Sequence, residues 1–185
     1  MGEARSPAKA WVQPTAETGS RPSPGHAKRS GLRFAGYAAV FDRPDRGGDV
    51  VRAGAFARSL KRGARAVPLL WQHAPERPIG RVEYLKEDRR GLRVIARLSD
   101  GAAGREAAAL LKEGAVRGLS FGYRVRAASG EAPRELTELE LVEISLVTLP
   151  MQPKARVHAV ADGDQEPGPG QRSTRVSKRS PPASV

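Results

Sequence analysis

Apolar and polar side chains alternate along most of the middle of this chain, with the two-residue period that puts successive side chains on opposite faces of a strand. The pattern is plainest at residues 92–98, where Leu92, Val94, Ala96 and Leu98 fall on one side. Residues 119–126 repeat it with Leu119, Phe121, Tyr123 and Val125, and residues 67–73 put Val67, Leu69, Trp71 and His73 on one face. The aromatic run 32–41 (LRFAGYAAVF) and the extended stretches 49–52 and 79–85 predict further strands. Residues 135–149 (ELTELELVEISLVTL) read as one bulged strand or two strands, stopped by Pro150 and Pro153. Along this run Leu139, Leu141, Glu143, Ser145, Val147 and Leu149 share a face.

Helical spacing is confined to two stretches. Residues 53–62 (AGAFARSLKR) set Phe56 and Leu60 four apart with Gly63 as a stop. Residues 102–113 follow Asp100, the expected N-cap, and end at Gly114, the expected C-terminal glycine. Turns are expected at 42–48, 74–78, 87–91 and 127–134. Six or seven strands and two short helices do not alternate as parallel βαβ units do. The expected fold is mainly β with a few helices (α+β): a closed or strongly curved antiparallel barrel flanked by short helices.

The ends differ from the middle. Residues 1–30 hold four prolines and only Trp11 and Val12 as a bulky apolar pair, and residues 162–185 hold two valines and no Leu, Ile or aromatic residue. Such segments bury too little apolar surface to offset the entropy of ordering the backbone. The expected organisation is a disordered tail at 1–30, one domain at 31–158 and a disordered tail at 159–185. The formal net charge of +12 is spread as +3 on residues 1–30, +7 on 31–154 and +2 on 155–185. It forms no concentrated basic arm, so nothing beyond charge supports nucleic-acid binding. Absence of cysteine excludes disulfides, thiolate metal sites and cysteine catalysis. No apolar stretch has membrane-spanning length and no secretory segment opens the chain, so the expectation is a soluble, intracellular protein. No metal or cofactor is expected either: ligand-spaced clusters, a P-loop and a dinucleotide fingerprint are all missing.

Three residues attract a catalytic reading. His73 alone sits within the core of the domain; His26 lies in the Pro/Ser-rich head and His158 at the edge of the tail, where neither is expected to be held rigidly. Ser120 sits in Gly118-Leu119-Ser120-Phe121-Gly122, with Leu119 and Phe121 facing away from it and glycines that leave room for a substrate backbone. A serine hydroxyl needs a base within hydrogen-bond reach, and His73 is the candidate. Glu143 stands among leucines, where a carboxylate needs a partner, and a histidine N–H is one. Each residue also has a plainer reading: His73 as a strand cap or core residue, Ser120 as a small strand residue between bulge glycines, Glu143 as an ion-pair partner of an arginine. Ser145 is a second hydroxyl able to join or replace Glu143, and Asp49 is an alternative acid in a loop suited to turn formation. GLSFG also fits the G-x-S-x-G elbow of α/β-hydrolases. That elbow requires a strand, a turn and a helix with the histidine after the serine, and here strand continues and the histidine precedes.

Four segments in order carry a resemblance: GYAAVFDRPDRGGDVVRAGAF (36–56), VPLLWQH with PIGRV (67–73, 78–82), GAVRGLSFGYRV (114–125) and LVEISLVTLPMQPKARV (141–157). Together they resemble the prohead (capsid maturation) serine proteases of tailed bacteriophages, distantly similar to the herpesvirus assemblins. The family's P-x-N-P reads Pro150-Met151-Gln152-Pro153 here. The resemblance implies an assemblin-like barrel, a serine endopeptidase without cofactors, and catalytic roles for His73, Ser120 and Glu143. It implies scaffolding protein or the scaffold-like segment of the major capsid protein as substrate. It also implies self-processing, with self-association, inside a prohead assembling in the bacterial cytoplasm. Two rival expectations remain: a non-enzymatic basic assembly factor that binds capsid protein or DNA, and an esterase of unrelated fold.

Overall fold

Most of the alternating segments pair with neighbours that turn their apolar faces inward, and the ring of pairings closes. The computed structural model describes residues 31–163. Its elements are β1 (Arg33–Val40), β2 (Asp49–Val51), α1 (Ala57–Leu60), β3 (Pro68–Trp71), β4 (Ala74–Glu87), β5 (Gly91–Leu98), α2 (Ala102–Glu113), β6 (Gly118–Ser129), β7 (Arg134–Val147) and β8 (Arg156–Ala161). The strand order is β2-β7-β3-β4-β5-β1-β8-β6, and a further β6–β7 pairing joins the ends into a seven-stranded barrel with β2 as an extra strand on β7. Most pairings are antiparallel, but β3–β7 and β2–β7 are parallel. The expected antiparallel barrel is therefore a mixed one. Long, one-sided pairing between β6 and β7 leaves the opposite edge of β7 to the two short strands.

The barrel interior is filled by Phe34, Phe56, Leu69, Ile79, Leu92, Leu98, Leu119, Leu139, Leu141 and Ile144, all essentially inaccessible. The partly buried Glu83 on β4 holds Arg33 at 2.8 Å and Arg97 at 2.9 Å, which ties β4 to β5 and β1 through charge as well as backbone pairing. Among the described residues no helix is long and apolar enough to cross a membrane.

Several boundaries differ from the sequence expectation, each for a local reason. The expected ten-residue helix at 53–62 is a four-residue α1. Gly54 has φ 91°, and Glu87 accepts the Gly54 and Phe56 N–H groups at 2.9 and 2.7 Å, so the first half is a pinned turn. The buried Ser59 hydroxyl then anchors α1 to β7, donating to Leu139 O at 2.7 Å and accepting from Leu141 N–H at 2.9 Å. Gly101, not Asp100, is the N-cap of α2, while Gly114 closes it in the left-handed conformation as expected. The expected turn at 74–78 belongs to β4, whose prolines Pro75 and Pro78 sit where pairing with β3 is irregular. β8 was not anticipated: it extends to Ala161, across the expected boundary at 158, because β1 supplies its hydrogen-bonding edge. The remainder of both expected tails, 1–30 and 164–185, lies outside the described residues.

One seam of the barrel is thin. β6 meets β8 only at Gly118↔Arg156, and β8 pairs with β1 no further than Tyr37. Beyond that point the end of β1 and the middle of β6 face each other without a strand between them. A cavity of about 330 Å3 opens there, lined by Ala38–Val40 on one side and by Ser120, Phe121 and Tyr123 on the other.

Candidate active site

His73 reaches this cavity from a turn. β3 ends at Trp71, which pairs with Ala74, so Gln72 and His73 form a two-residue hairpin loop. Both have positive φ, 52° and 63°, the conformation of a type I′ turn that ordinarily favours Asn-Gly. Holding two non-glycine residues there costs about 1–3 kcal/mol each and persists only where the surroundings enforce it. Here Gln72 supplies the restraint: its N–H donates to Leu146 O at 2.9 Å, and its side-chain oxygen accepts from Thr148 N–H at 3.3 Å. His73 N–H donates to the Ser145 hydroxyl at 3.2 Å. His73 therefore leaves the face it would have shared with Leu69 and Trp71, and its side chain stays about half exposed.

Glu143 reaches the same place through a bulge. Gly122 pairs with Glu143 and Tyr123 with Leu141, so Val142 has no partner on β6. An extra residue on one strand reverses which side chains point inward beyond it. Leu139 and Leu141 belong to the core before the bulge, and Ile144 and Leu146 after it. Glu143 and Ser145 are thereby turned out of the leucine face assigned to them by simple alternation, yet remain buried, 6% and 0% exposed. One carboxylate oxygen of Glu143 lies 2.6 Å from His73 Nδ1, and the other accepts from the Ser145 hydroxyl at 2.6 Å. A carboxylate only accepts, so in the neutral imidazole Nδ1 carries the proton and Nε2 keeps its lone pair.

Ser120 stands directly opposite Ser145 in the β6–β7 ladder and is 6% exposed. It lines the 330 Å3 cavity together with His73. The flanking glycines have reasons other than substrate access. A Cβ on Gly122 would lie 2.7 Å from Glu143 Oε1, and one on Gly118 would lie 2.5 Å from Val147 O and 2.8 Å from Pro150 Cδ. Glycine at 122 lets the carboxylate lie flat against β6; glycine at 118 lets the chain after β7 cross.

The other candidates go elsewhere. Asp49 forms a two-point ion pair with Arg134, accepting from Nε at 2.9 Å and from Nη2 at 2.5 Å, a structural use of that acid. With Asp45 it surrounds Tyr123, whose phenol is raised above its usual value first by burial and then by these two negative charges. His158 is held after all: it lies on β8 edge-on to Tyr37 with ring centres 5.8 Å apart. Burial, followed by the charges of Arg90 and Arg156, lowers its pKa. His26 lies outside the described residues. Among the described residues no three His, Cys, Asp or Glu side chains form a group able to hold a metal ion. Two contributors were not singled out from the sequence. One is Gln72; the other is Gln152, whose amide donates to Val40 O at 2.9 Å and pins the Pro150–Pro153 loop over the cavity. The Q-H pair before a strand of opposite direction was the available signal for the first.

The chain is similar to known proteins in both sequence and fold. The sequence profile of the Caudovirus prohead serine protease family matches residues 22–166. The prohead protease of Enterobacteria phage HK97 is 32% identical over 139 residues, 71% of this chain and 61% of that protein. A capsid polyprotein of Pseudomonas phage PAJU2 is 32% identical over 133 residues, 66% of this chain but 19% of that protein. The chain thus spans less than two thirds of the length of these relatives. Among solved structures, the bacteriophage T4 capsid assembly protease superposes with a TM-score of 0.54 at 17% identity, over 65% of this chain and 84% of that one. A KSHV protease bound to a hexapeptide phosphonate has a TM-score of 0.48 at 14% identity, over 71% and 65%. With a family match that spans most of its length, the chain belongs to the Caudovirus prohead serine proteases.

Proposed function

We propose that this chain is a serine endopeptidase of phage capsid maturation in which Ser120 is the nucleophile, His73 its general base and Glu143 the group that orients the histidine. The observation that carries the reading is the 2.6 Å contact between Glu143 and His73 Nδ1, with His73 and Ser120 on the wall of one cavity. Glu143 holds the imidazole in the tautomer that exposes Nε2, which takes the Ser120 proton as Oγ attacks the scissile carbonyl. The imidazolium formed is stabilised by the same carboxylate and then protonates the leaving amine. Water repeats the sequence on the acyl-enzyme, with His73 again as base.

The substrate in this reading is the scaffolding protein or the scaffold-like segment of the major capsid protein, cut inside a prohead assembling in a bacterial host. The relative titled a capsid polyprotein supports this pairing, since there a stretch similar to this chain is part of a much longer capsid precursor. The same relative supports self-processing, because a protease joined to its substrate must cut its own chain to be released. The test is co-expression with the capsid gene of the same phage followed by mass spectrometry. Wild type should yield discrete capsid and self-cleavage products, and Ser120→Ala and His73→Ala should yield none while keeping the same melting temperature within about 3 °C. Processing by Ser120→Ala at the wild-type rate would remove the assignment.

A further inference from the structure

Two cavities meet at His73. The first, of about 330 Å3, holds Ser120 and has Val40, Val51, Phe121, Leu149 and Met151 among its walls. The second, of about 470 Å3, lies on the Glu143 side of the histidine and is walled by Pro68, Leu70, Pro75 and Val142. His73 and Tyr123 line both, so these two side chains form a ridge between them. The chain spends exposed apolar surface here. Of the five large apolar side chains that are exposed among the described residues, Leu149 at 75%, Met151 at 53% and Val142 at 41% line these two cavities. Exposed apolar surface gathered in one place marks a binding site, whereas isolated exposed apolar residues do not. The acids nearby are engaged: Asp45 Oδ1 accepts the Gly47 and Asp49 N–H groups, and Asp49 binds Arg134.

We propose that the substrate peptide lies extended across the His73–Tyr123 ridge and seats one apolar side chain in each cavity. This rests on the reading of Ser120 as nucleophile. A peptide presented for cleavage is extended, with side chains on one face at every second residue and about 7 Å apart. The two seated side chains therefore occupy different positions of the substrate, at least two residues apart, with the ridge between them. Specificity is for aliphatic or aromatic side chains at both positions. The first cavity recognises one through the Leu149–Met151 rim, and the second recognises the other through Val142 and the two prolines.

A library of synthetic decapeptides with randomised positions, read by mass spectrometry, tests this on the full chain. Wild type should select apolar residues at two positions. Leu149→Asp should shift selection toward Lys or Arg by about tenfold at one of them and leave the other as it was, and Val142→Asp should do the reverse. Leu149→Lys and Val142→Lys should shift the same positions toward Asp or Glu, which separates recognition from any loss of folding. Unchanged profiles in these variants, or effects of both variants at a single position, would overturn the proposal while leaving the nucleophile in place. Library cleavage by Ser120→Ala at the wild-type rate would instead overturn the nucleophile assignment. A wild-type chain that cuts no member of the library counts against both.

Discussion

Gly122→Ala should damage catalysis through Glu143 without touching His73 or Ser120. An alanine Cβ at this position falls 2.7 Å from Glu143 Oε1, 3.0 Å from its Cγ and 3.2 Å from its Cδ, against an ordinary contact distance of 3.4 Å or more. The carboxylate must retreat by about 0.7 Å. It has little freedom to do so, because its two oxygens are held by His73 and by Ser145, each at 2.6 Å. A misplacement approaching 1 Å in a catalytic group costs about 100-fold in rate, or about 2.7 kcal/mol of barrier. Complete loss of the orienting carboxylate costs up to about 10,000-fold. Expected kcat for Gly122→Ala is therefore down about 100-fold; Gly122 also lines the cavity beside Glu143, so the added methyl acts on KM as well and kcat carries the test. The assay is cleavage of a quenched-fluorescence capsid peptide, run as a double-mutant cycle with Glu143→Ala. If the alanine acts by displacing the carboxylate, it should cost almost nothing once the carboxylate is gone, giving a coupling close to the whole single-mutant effect. Two additive effects, or a Gly122→Ala enzyme within twofold of wild type, would refute the argument.

Further expectations concern the supports of the site and fold. Ser145→Ala leaves the second Glu143 oxygen and the His73 N–H without their buried partner, a loss of about 1–3 kcal/mol, so kcat should fall about tenfold to a hundredfold on the same substrate. Ser59→Ala removes the hydroxyl bridge from α1 to β7; urea titration should register about 1–3 kcal/mol of destabilisation with the m-value unchanged. Burial works against ionisation of Glu83, but its bonds to Arg97 and Arg33 prevail and lower its pKa from 4.5. Its stabilising contribution is thus fully present above pH 4.5 and is lost as pH falls below that value through the lower folded pKa. Thermal melts across pH 3–6 should show Glu83→Gln to be less stable than wild type at pH 6 and the difference shrinking toward pH 3.

Much of the strand framework could be read directly. Leu92, Val94, Ala96 and Leu98 repeat every second residue because β5 has one face in the barrel, and that requirement is written locally in residue type. Gly114 is legible for a similar reason, since a left-handed helix cap favours glycine wherever it occurs. His73 and Ser120 emerged as candidates because a lone histidine within the core of the domain and a serine between glycines are local signals. The resemblance of four ordered segments supplied what residue chemistry left even.

Glu143 is where reading from alternation stopped. Counting by twos put it on the leucine face, and the bulge at Val142 moved it off that face toward His73. A bulge is a mismatch between two strands far apart in sequence, so the length of the 135–149 run suggests a bulge but does not place it at Val142. Gln72 and His73 are similar: neither residue favours positive φ, and the contacts with Leu146, Thr148 and Ser145 that enforce it come from seventy residues further along. The cavity itself arises because β8 stops pairing with β1 at Tyr37, a consequence of strand lengths and closure that no single segment encodes. Local periodicity therefore determined most of the strands, and residue type determined which two side chains to watch. Tertiary pairing decided the mixed closure of the barrel, the direction in which Glu143 points and the open seam beside Ser120. The physical reason is that bulges, register and closure depend on interactions between segments, whereas propensity and alternation belong to each segment alone.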